Sequence, residues 1–320
     1  MRSMIAVGLV AMAAVLGCNK VTTAPVWPEK PGPKVVASFP PITCFVANVL
    51  GDRGTVRGVM STQGPHDFDP TLSDAQSVHG ADLFIINGLE LDNAIAKKMT
   101  KAAGVRELPI IDLANTLDEK ILLEGECHHD HKSGEPHHHE SGFDAHLWLG
   151  PEIAMMFTNT IRDELKKRDP SGAAEYDRRA AEYVAKLQRL WDDGQAMLKG
   201  KTSRKIITMH ESMNYFARAY GVEIAGSIQA SPGQEPTRRK LDEIIKACVE
   251  HQVTVLAVEP QYASTNAVRA IQRELKAKGL AEVTVIELDP LETDTKAVPP
   301  GDWYETKMRA NLTALANALK

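Results

Sequence analysis

Residues 171–199 read SGAAEYDRRAAEYVAKLQRLWDDGQAMLK. Ala173, Tyr176, Ala180, Tyr183, Val184, Leu187, Leu190 and Trp191 recur at three- and four-residue intervals, the spacing that lines one face of an α-helix with apolar groups. The stretch contains no proline, and its two glycines, Gly172 and Gly194, lie towards its ends. Asp169-Pro170-Ser171 is a start signal with Ser171 as the expected cap. A helix of this length is about 40 Å long at 1.5 Å per residue.

What surrounds this helix is of another kind. Before it, short apolar, β-branched runs at 34–39, 55–60, 81–87 and 109–113 alternate with helical patterns at 44–50, 71–79 and 89–103. After it, runs at 205–209, 222–228, 253–258 and 283–288 alternate with helical patterns at 212–220, 236–251, 264–278 and 302–319. Strand–helix alternation of this type builds parallel sheets covered by helices. The expected fold is therefore α/β: two lobes, each a four-stranded, mainly parallel sheet with flanking helices, joined by one long helix. The N-terminal lobe is expected over 34–170, the linking helix over 171–200 and the C-terminal lobe over 201–320. A single stiff helix between lobes favours small lobe motions over wide closure.

Composition narrows the function. The 320 residues carry 37 Lys and Arg against 42 Asp and Glu, a net charge of −5, without the basic excess that tracking along nucleic acid requires. Four cysteines exclude a disulfide-dense scaffold, and 5% aromatic residues argue against a stacking platform for sugars or bases. At the N-terminus, Arg2 precedes an apolar run from Ile5 to Leu16 and then Gly17-Cys18. The run is too short to span a bilayer and fits a signal peptide over 1–17. Small residues before a lone cysteine resemble a bacterial lipobox, which implies a lipid on the Cys18 sulfur and an extracytoplasmic, membrane-anchored protein; an ordinary signal peptide that happens to contain cysteine is the other reading. Pro25, Pro28, Pro31 and Pro33 mark 18–33 as a tether.

Histidine is the informative residue. Of 11, six (His128, His129, His131, His137, His138, His139) crowd into a loop over 124–142 that also holds Glu124, Glu126, Asp130, Glu135 and Glu140 against Lys132. Such a segment is either an auxiliary metal-capture loop or a solvated linker. His66 follows the second strand, His210 follows the fifth, and Asp289 ends the eighth. Ligands of open α/β sheets bind beyond the carboxyl ends of strands. With His146, these residues make three imidazoles and one carboxylate, a donor set suited to Zn²⁺. By spacing alone each histidine could equally be a buried hydrogen-bonded ring or a loop surface residue.

Longer motifs add to this. Pro65-His66-Asp67-Phe68-Asp69-Pro70-Thr71, Asn87-Gly88-Leu89-Glu90-Leu91-Asp92, Asp144-Ala145-His146-Leu147-Trp148-Leu149, Met209-His210-Glu211-Ser212-Met213-Asn214-Tyr215-Phe216-Ala217, Val258-Glu259-Pro260-Gln261 and Leu288-Asp289-Pro290-Leu291 occur in that order. Together they resemble the metal-specific solute-binding proteins of ABC importers, the ZnuA/TroA-like family, from about residue 34 to the C-terminus. The resemblance implies two α/β lobes with a metal between them, and His66, His146, His210 and Asp289 as its ligands. Some zinc-binding members complete the shell with water or another carboxylate in place of the Asp289 position. It further implies a monomer that delivers its ion to an ABC permease with a cytoplasmic ATPase.

Manganese-type members tend to carry Glu where this chain has His210, and three imidazoles favour zinc over Mn²⁺. Imidazole ligation predicts that affinity falls as pH drops through about 6.5. A metalloprotease needs His-Glu-x-x-His, which His210-Glu211-Ser212-Met213-Asn214 fails at its last position, so no enzyme is expected. The competing functions are a manganese-specific binding protein and an extracytoplasmic zinc buffer or adhesin. His79 and His251 are read as packing or helix-end residues, Cys44 and Cys248 as buried thiols or a disulfide, and Cys127 as a free thiol or loop ligand.

Overall fold

The computed structural model describes residues 27–125, 142–229, 232–260, 265–280 and 282–320. The signal peptide, Cys18, and the histidines and Cys127 of the His-rich loop lie outside the described residues. In the N-terminal half, β1 (Lys34–Ala37), β2 (Thr55–Gly58), β3 (Leu83–Ile86) and β4 (Ile110–Asp112) form a parallel sheet in the order β2-β1-β3-β4. The helices α1 (Pro40–Leu50), α2 (Leu72–Ala75) and α3 (Asn93–Ala102) accompany it, followed by α4 (Pro151–Arg168) and the long α5 (Ala173–Leu198). The C-terminal half repeats the arrangement. Here β5 (Lys205–Thr208), β6 (Glu223–Ser227), β7 (Val255–Val258) and β8 (Thr284–Glu287) are parallel in the order β6-β5-β7-β8. They are accompanied by α6 (Asn214–Tyr220), α7 (Arg238–His251), α8 (Asn266–Ala277) and α9 (Trp303–Ala318). Both sheets have the same order, so their strands present comparable carboxyl edges.

Side-chain alternation explains the layering. Along β7, Val255 and Ala257 face a core shared with the N-terminal half, whereas Leu256 and Val258 face a second core with Ile244, Ile245 and Cys248 of α7 and Val268, Ile271 and Leu275 of α8. Period-two alternation in a strand buried on both faces requires apolar groups at every position, and β7 is buried throughout. No described helix is long and apolar enough to cross a membrane.

Two expectations need correction. The fold begins before the end of the expected tether: Trp27 is buried, its indole donates to the His79 carbonyl at 2.8 Å, and the Arg57 guanidinium lies 5.1 Å from its ring centre. A large apolar side chain among the prolines outweighs their tether-like character. Ser171 does not cap α5. A short 3₁₀ turn over Pro170–Gly172 precedes it, and Asp169 gathers Arg53 (2.9 Å) and Tyr176 (2.8 Å). Hydrogen bonds from Ser171, Arg53 and Tyr176 hold the Asp169 carboxyl down at about 2.

The two halves are joined by more than α5. Between β8 and α9 the chain crosses back onto the N-terminal half. Trp148 Nε1 donates to the Pro290 carbonyl (2.8 Å), Asp294 N to the Ser61 carbonyl (2.9 Å) and Asn48 Nδ2 to the Gly301 carbonyl (2.9 Å). In α5, Gly194 allows close approach: a Cβ there would lie 2.3 Å from the Tyr220 ring and 2.8 Å from Leu312. Overpacking costs about 1–3 kcal/mol against at most about 1 kcal/mol gained in helix propensity over glycine. Gly194→Ala is therefore expected to lower the denaturant midpoint, and an unchanged or raised midpoint would show that the contact relaxes freely.

Candidate metal centre

The carboxyl ends of the two sheets bring four side chains together. His66 lies in the loop after β2, His146 just before α4, His210 just after β5 and Glu292 in the crossing after β8. One donor atom from each lies within 4.8 Å of all the others. His66 Nε2 is 3.3 Å from His146 Nε2 and 3.3 Å from Glu292 Oε1. Glu292 Oε1 is 3.5 Å from His146 Nε2 and 4.0 Å from His210 Nε2. A tetrahedron with metal–nitrogen bonds of 2.0–2.1 Å has edges of about 3.3 Å, so this spacing suits one zinc-sized ion. His146, His210 and Glu292 are buried. His210 Nε2 and Glu292 Oε1 are inaccessible to solvent and have no hydrogen-bond partner, which is costly unless a cation or proton faces them.

Two carboxylates orient the rings. Asp144 Oδ1 accepts from both the backbone N (2.9 Å) and the Nδ1 (2.8 Å) of His146. Glu259, which directly follows β7, accepts from His210 Nδ1. An acid against Nδ1 keeps the proton there and leaves the Nε2 lone pair for a metal. Burial alone would drive the His146 imidazolium down. The charge and hydrogen bond of Asp144, aided by Glu292, outweigh it and lift the ring to about 10. Burial would likewise raise the Glu292 carboxyl, but His146 and His66 hold it well below the usual carboxylate range. Within the cluster, then, His146 holds its proton more tightly than a free imidazole while Glu292 stays ionised.

The structure brings His66, His146 and His210 together but leaves Asp289 out. Asp289 Oδ2 pairs with Lys307 Nζ at 2.8 Å, its Oδ1 accepts from Leu291 N at 2.8 Å, and its backbone exchanges hydrogen bonds with the Asn311 amide. Its charge is spent on anchoring α9. Leu291, at φ +63°, then turns the chain, and Glu292, the next residue and three beyond Asp289, enters the cluster. The only sequence signal for this was a second acid shortly after the strand-end Asp. Nothing local distinguishes the two.

The described ends of the His-rich loop are paired. Glu124 bridges Phe143, Gly125 N donates to the Gly142 carbonyl (3.0 Å) and Asp144 N to the Leu123 carbonyl (2.8 Å). The paired segments that flank the loop therefore include Asp144. Tyr215 of α6 ties this neck to the C-terminal half, donating to the Asp144 carbonyl and accepting from Leu123 N, both at 3.0 Å. Cys44 and Cys248 are buried free thiols, pushed up by burial to about 12 and about 11. His79 and His251 sit at helix ends away from the cluster.

The family profile described as zinc-uptake complex component A, periplasmic (ZnuA), matches residues 35–318. The high-affinity zinc uptake system protein ZnuA of Bacillus subtilis (strain 168) is 30% identical over 287 residues, covering 89% of this chain and 87% of the relative. The zinc-binding protein AdcA of Streptococcus pyogenes is 27% identical over 292 residues, 88% of this chain but 55% of the relative, so the chain spans about half the length of that protein. A solved crystal structure of ZnuA superimposes with a TM-score of 0.72 at 27% identity, over 90% of this chain and 100% of the other.

Proposed function

This chain belongs to the ZnuA family of solute-binding proteins, and on that premise we propose that it captures Zn²⁺ between its lobes and delivers it to the permease of an ABC importer driven by a cytoplasmic ATPase. The observation that carries the reading is the convergence of His66, His146, His210 and Glu292 from sequence-distant loops onto one ion-sized space. The ion is cargo. Three nitrogens and one oxygen favour zinc over the oxygen-rich coordination of manganese. Four protein donors complete a tetrahedron and leave no place for an activated water, which supports carriage rather than catalysis. A lipid on Cys18 holds the monomer at the outer face of a bacterial membrane, and the His-rich loop over 124–142 gathers zinc near the cleft.

Protein purified without added metal is expected to carry zinc, and competition titration to return one tight site per chain. Deleting residues 126–140 leaves that site in place. Loss of tight stoichiometric binding on deletion would transfer the function to the loop and favour a zinc buffer. Retention of manganese in preference to zinc would reassign the cargo.

A further inference from the structure

The segment Asn87-Gly88-Leu89-Glu90-Leu91-Asp92 belongs to none of the roles above, yet it is built around two fully buried polar side chains, Asn87 and Asp92. It leaves β3 through three successive left-handed residues, Gly88 (φ +98°), Leu89 (+53°) and Glu90 (+61°), a conformation that Leu and Glu rarely adopt. Gly88 admits no side chain, since a Cβ would lie 1.9 Å from Asp112 Oδ1. The turn is closed by Asp92, whose carboxylate accepts from Asn87 N (2.8 Å) and Gly88 N (2.9 Å). What it presents is the Asn87 amide. Asn87 Nδ2 donates to the Ala145 carbonyl at 2.9 Å and to the Gly88 carbonyl at 3.2 Å.

The Ala145 carbonyl belongs to the peptide whose nitrogen is that of His146. That nitrogen donates to Asp144 Oδ1. The peptide is therefore gripped from both sides, by Asn87 at its oxygen and by Asp144 at its nitrogen, while Asp144 also holds the ring at Nδ1. We propose that Asn87, locked by Asp92, is a positioning residue for the metal centre: its amide fixes the Ala145–His146 peptide so that His146 Nε2 reaches the ion without rearrangement. This rests on the zinc reading above. Groups one step removed from a metal tune affinity by orienting the ligand, typically by 10–100-fold. Asn87 holds only the carbonyl side of the Ala145–His146 peptide, whereas Asp144 holds both its nitrogen and the ring.

The test compares Asn87→Ala with Thr158→Ala in the full chain. Thr158 is another fully buried polar side chain, and among the described residues its hydroxyl bonds within α4, to the Ala154 carbonyl. Both substitutions are expected to lower the melting temperature of the metal-free protein. Only Asn87→Ala is expected to weaken Zn²⁺ binding, by about 10-fold or more, and to alter the visible ligand-field bands of the Co²⁺-loaded protein. If Asn87→Ala does not fold, Asn87→Leu keeps the side-chain size, removes the donor without adding a charge and is read in the same way. Zinc affinity within twofold of wild type and an unchanged Co²⁺ spectrum, alongside a lowered melting temperature, would leave Asn87 a purely structural residue. Absence of tight zinc binding in the wild type would overturn the zinc reading itself, a separate outcome.

Discussion

Glu292→Ala is expected to weaken zinc binding by more than about 100-fold, the upper end of what loss of an orienting group outside the ligand set costs, while Asp289→Ala leaves affinity within a few fold. The contrast follows from where the two carboxylates spend their charge. Glu292 Oε1 faces three imidazole nitrogens at 3.3–4.0 Å, and among the described residues no Lys or Arg pairs with it. Asp289 is already paired with Lys307 at 2.8 Å, and that pair is partly exposed to solvent, so its loss costs no more than about 1 kcal/mol of stability. His210→Ala belongs with Glu292→Ala, since it removes the ring that reaches the ion from β5. Competition titration against a chromophoric chelator measures all three. An Asp289 variant that loses more affinity than the Glu292 variant would place the fourth ligand back at the strand end.

The second large effect is on pH. The sequence expectation places the loss of affinity near 6.5, the reference imidazole value. The structure moves that window upward for His146, because Asp144 and Glu292 lift its ring to about 10 despite burial. In the metal-free protein at neutral pH the ring holds a second proton, and zinc must displace it from Nε2. Affinity is therefore expected to rise with pH well above 6.5, by up to tenfold per unit for one titrating ring, or about 100-fold between pH 6.5 and 8.5. The linked stability has the opposite sign. A raised histidine stabilises the metal-free fold fully below about 6.5, and that contribution is lost as pH rises through about 10. Calorimetry in buffers of different ionisation enthalpy counts the released proton. Affinity that is flat from pH 7 to 9, with no proton released, would mean that His146 is already neutral in the free protein.

Much of this architecture is visible in the sequence because it is written in local patterns. The eight β-branched runs fall on β1 to β8, each a residue or two longer at its ends than the observed strand, since apolar character continues past the last ladder hydrogen bond. The helix α4 had an equally clear signature in Pro151 at its first turn and Ile153, Ala154, Phe157, Ile161 and Leu165 on one face. The sequence expectation lacks this helix although its pattern is as local as those of the others. The three histidines were legible because each stands beside a recognisable motif, two of them just beyond a strand. Glu292 was not, because its neighbours Leu291 and Thr293 belong to no periodic element.

By itself, then, the amino-acid order determined the two α/β halves, the long helix between them and which imidazoles are poised at strand ends. These follow from hydrophobic period and turn chemistry within a few residues of each position. Only the tertiary structure shows which carboxylate approaches the imidazoles, which acids face their Nδ1 atoms and what the Ala145–His146 peptide is bonded to. Those depend on hydrogen bonds such as Asp294 to Ser61, Trp148 to Pro290 and Asn87 to Ala145. Each joins residues far apart in the chain, and such partners are chosen by how whole layers pack, which no local pattern records.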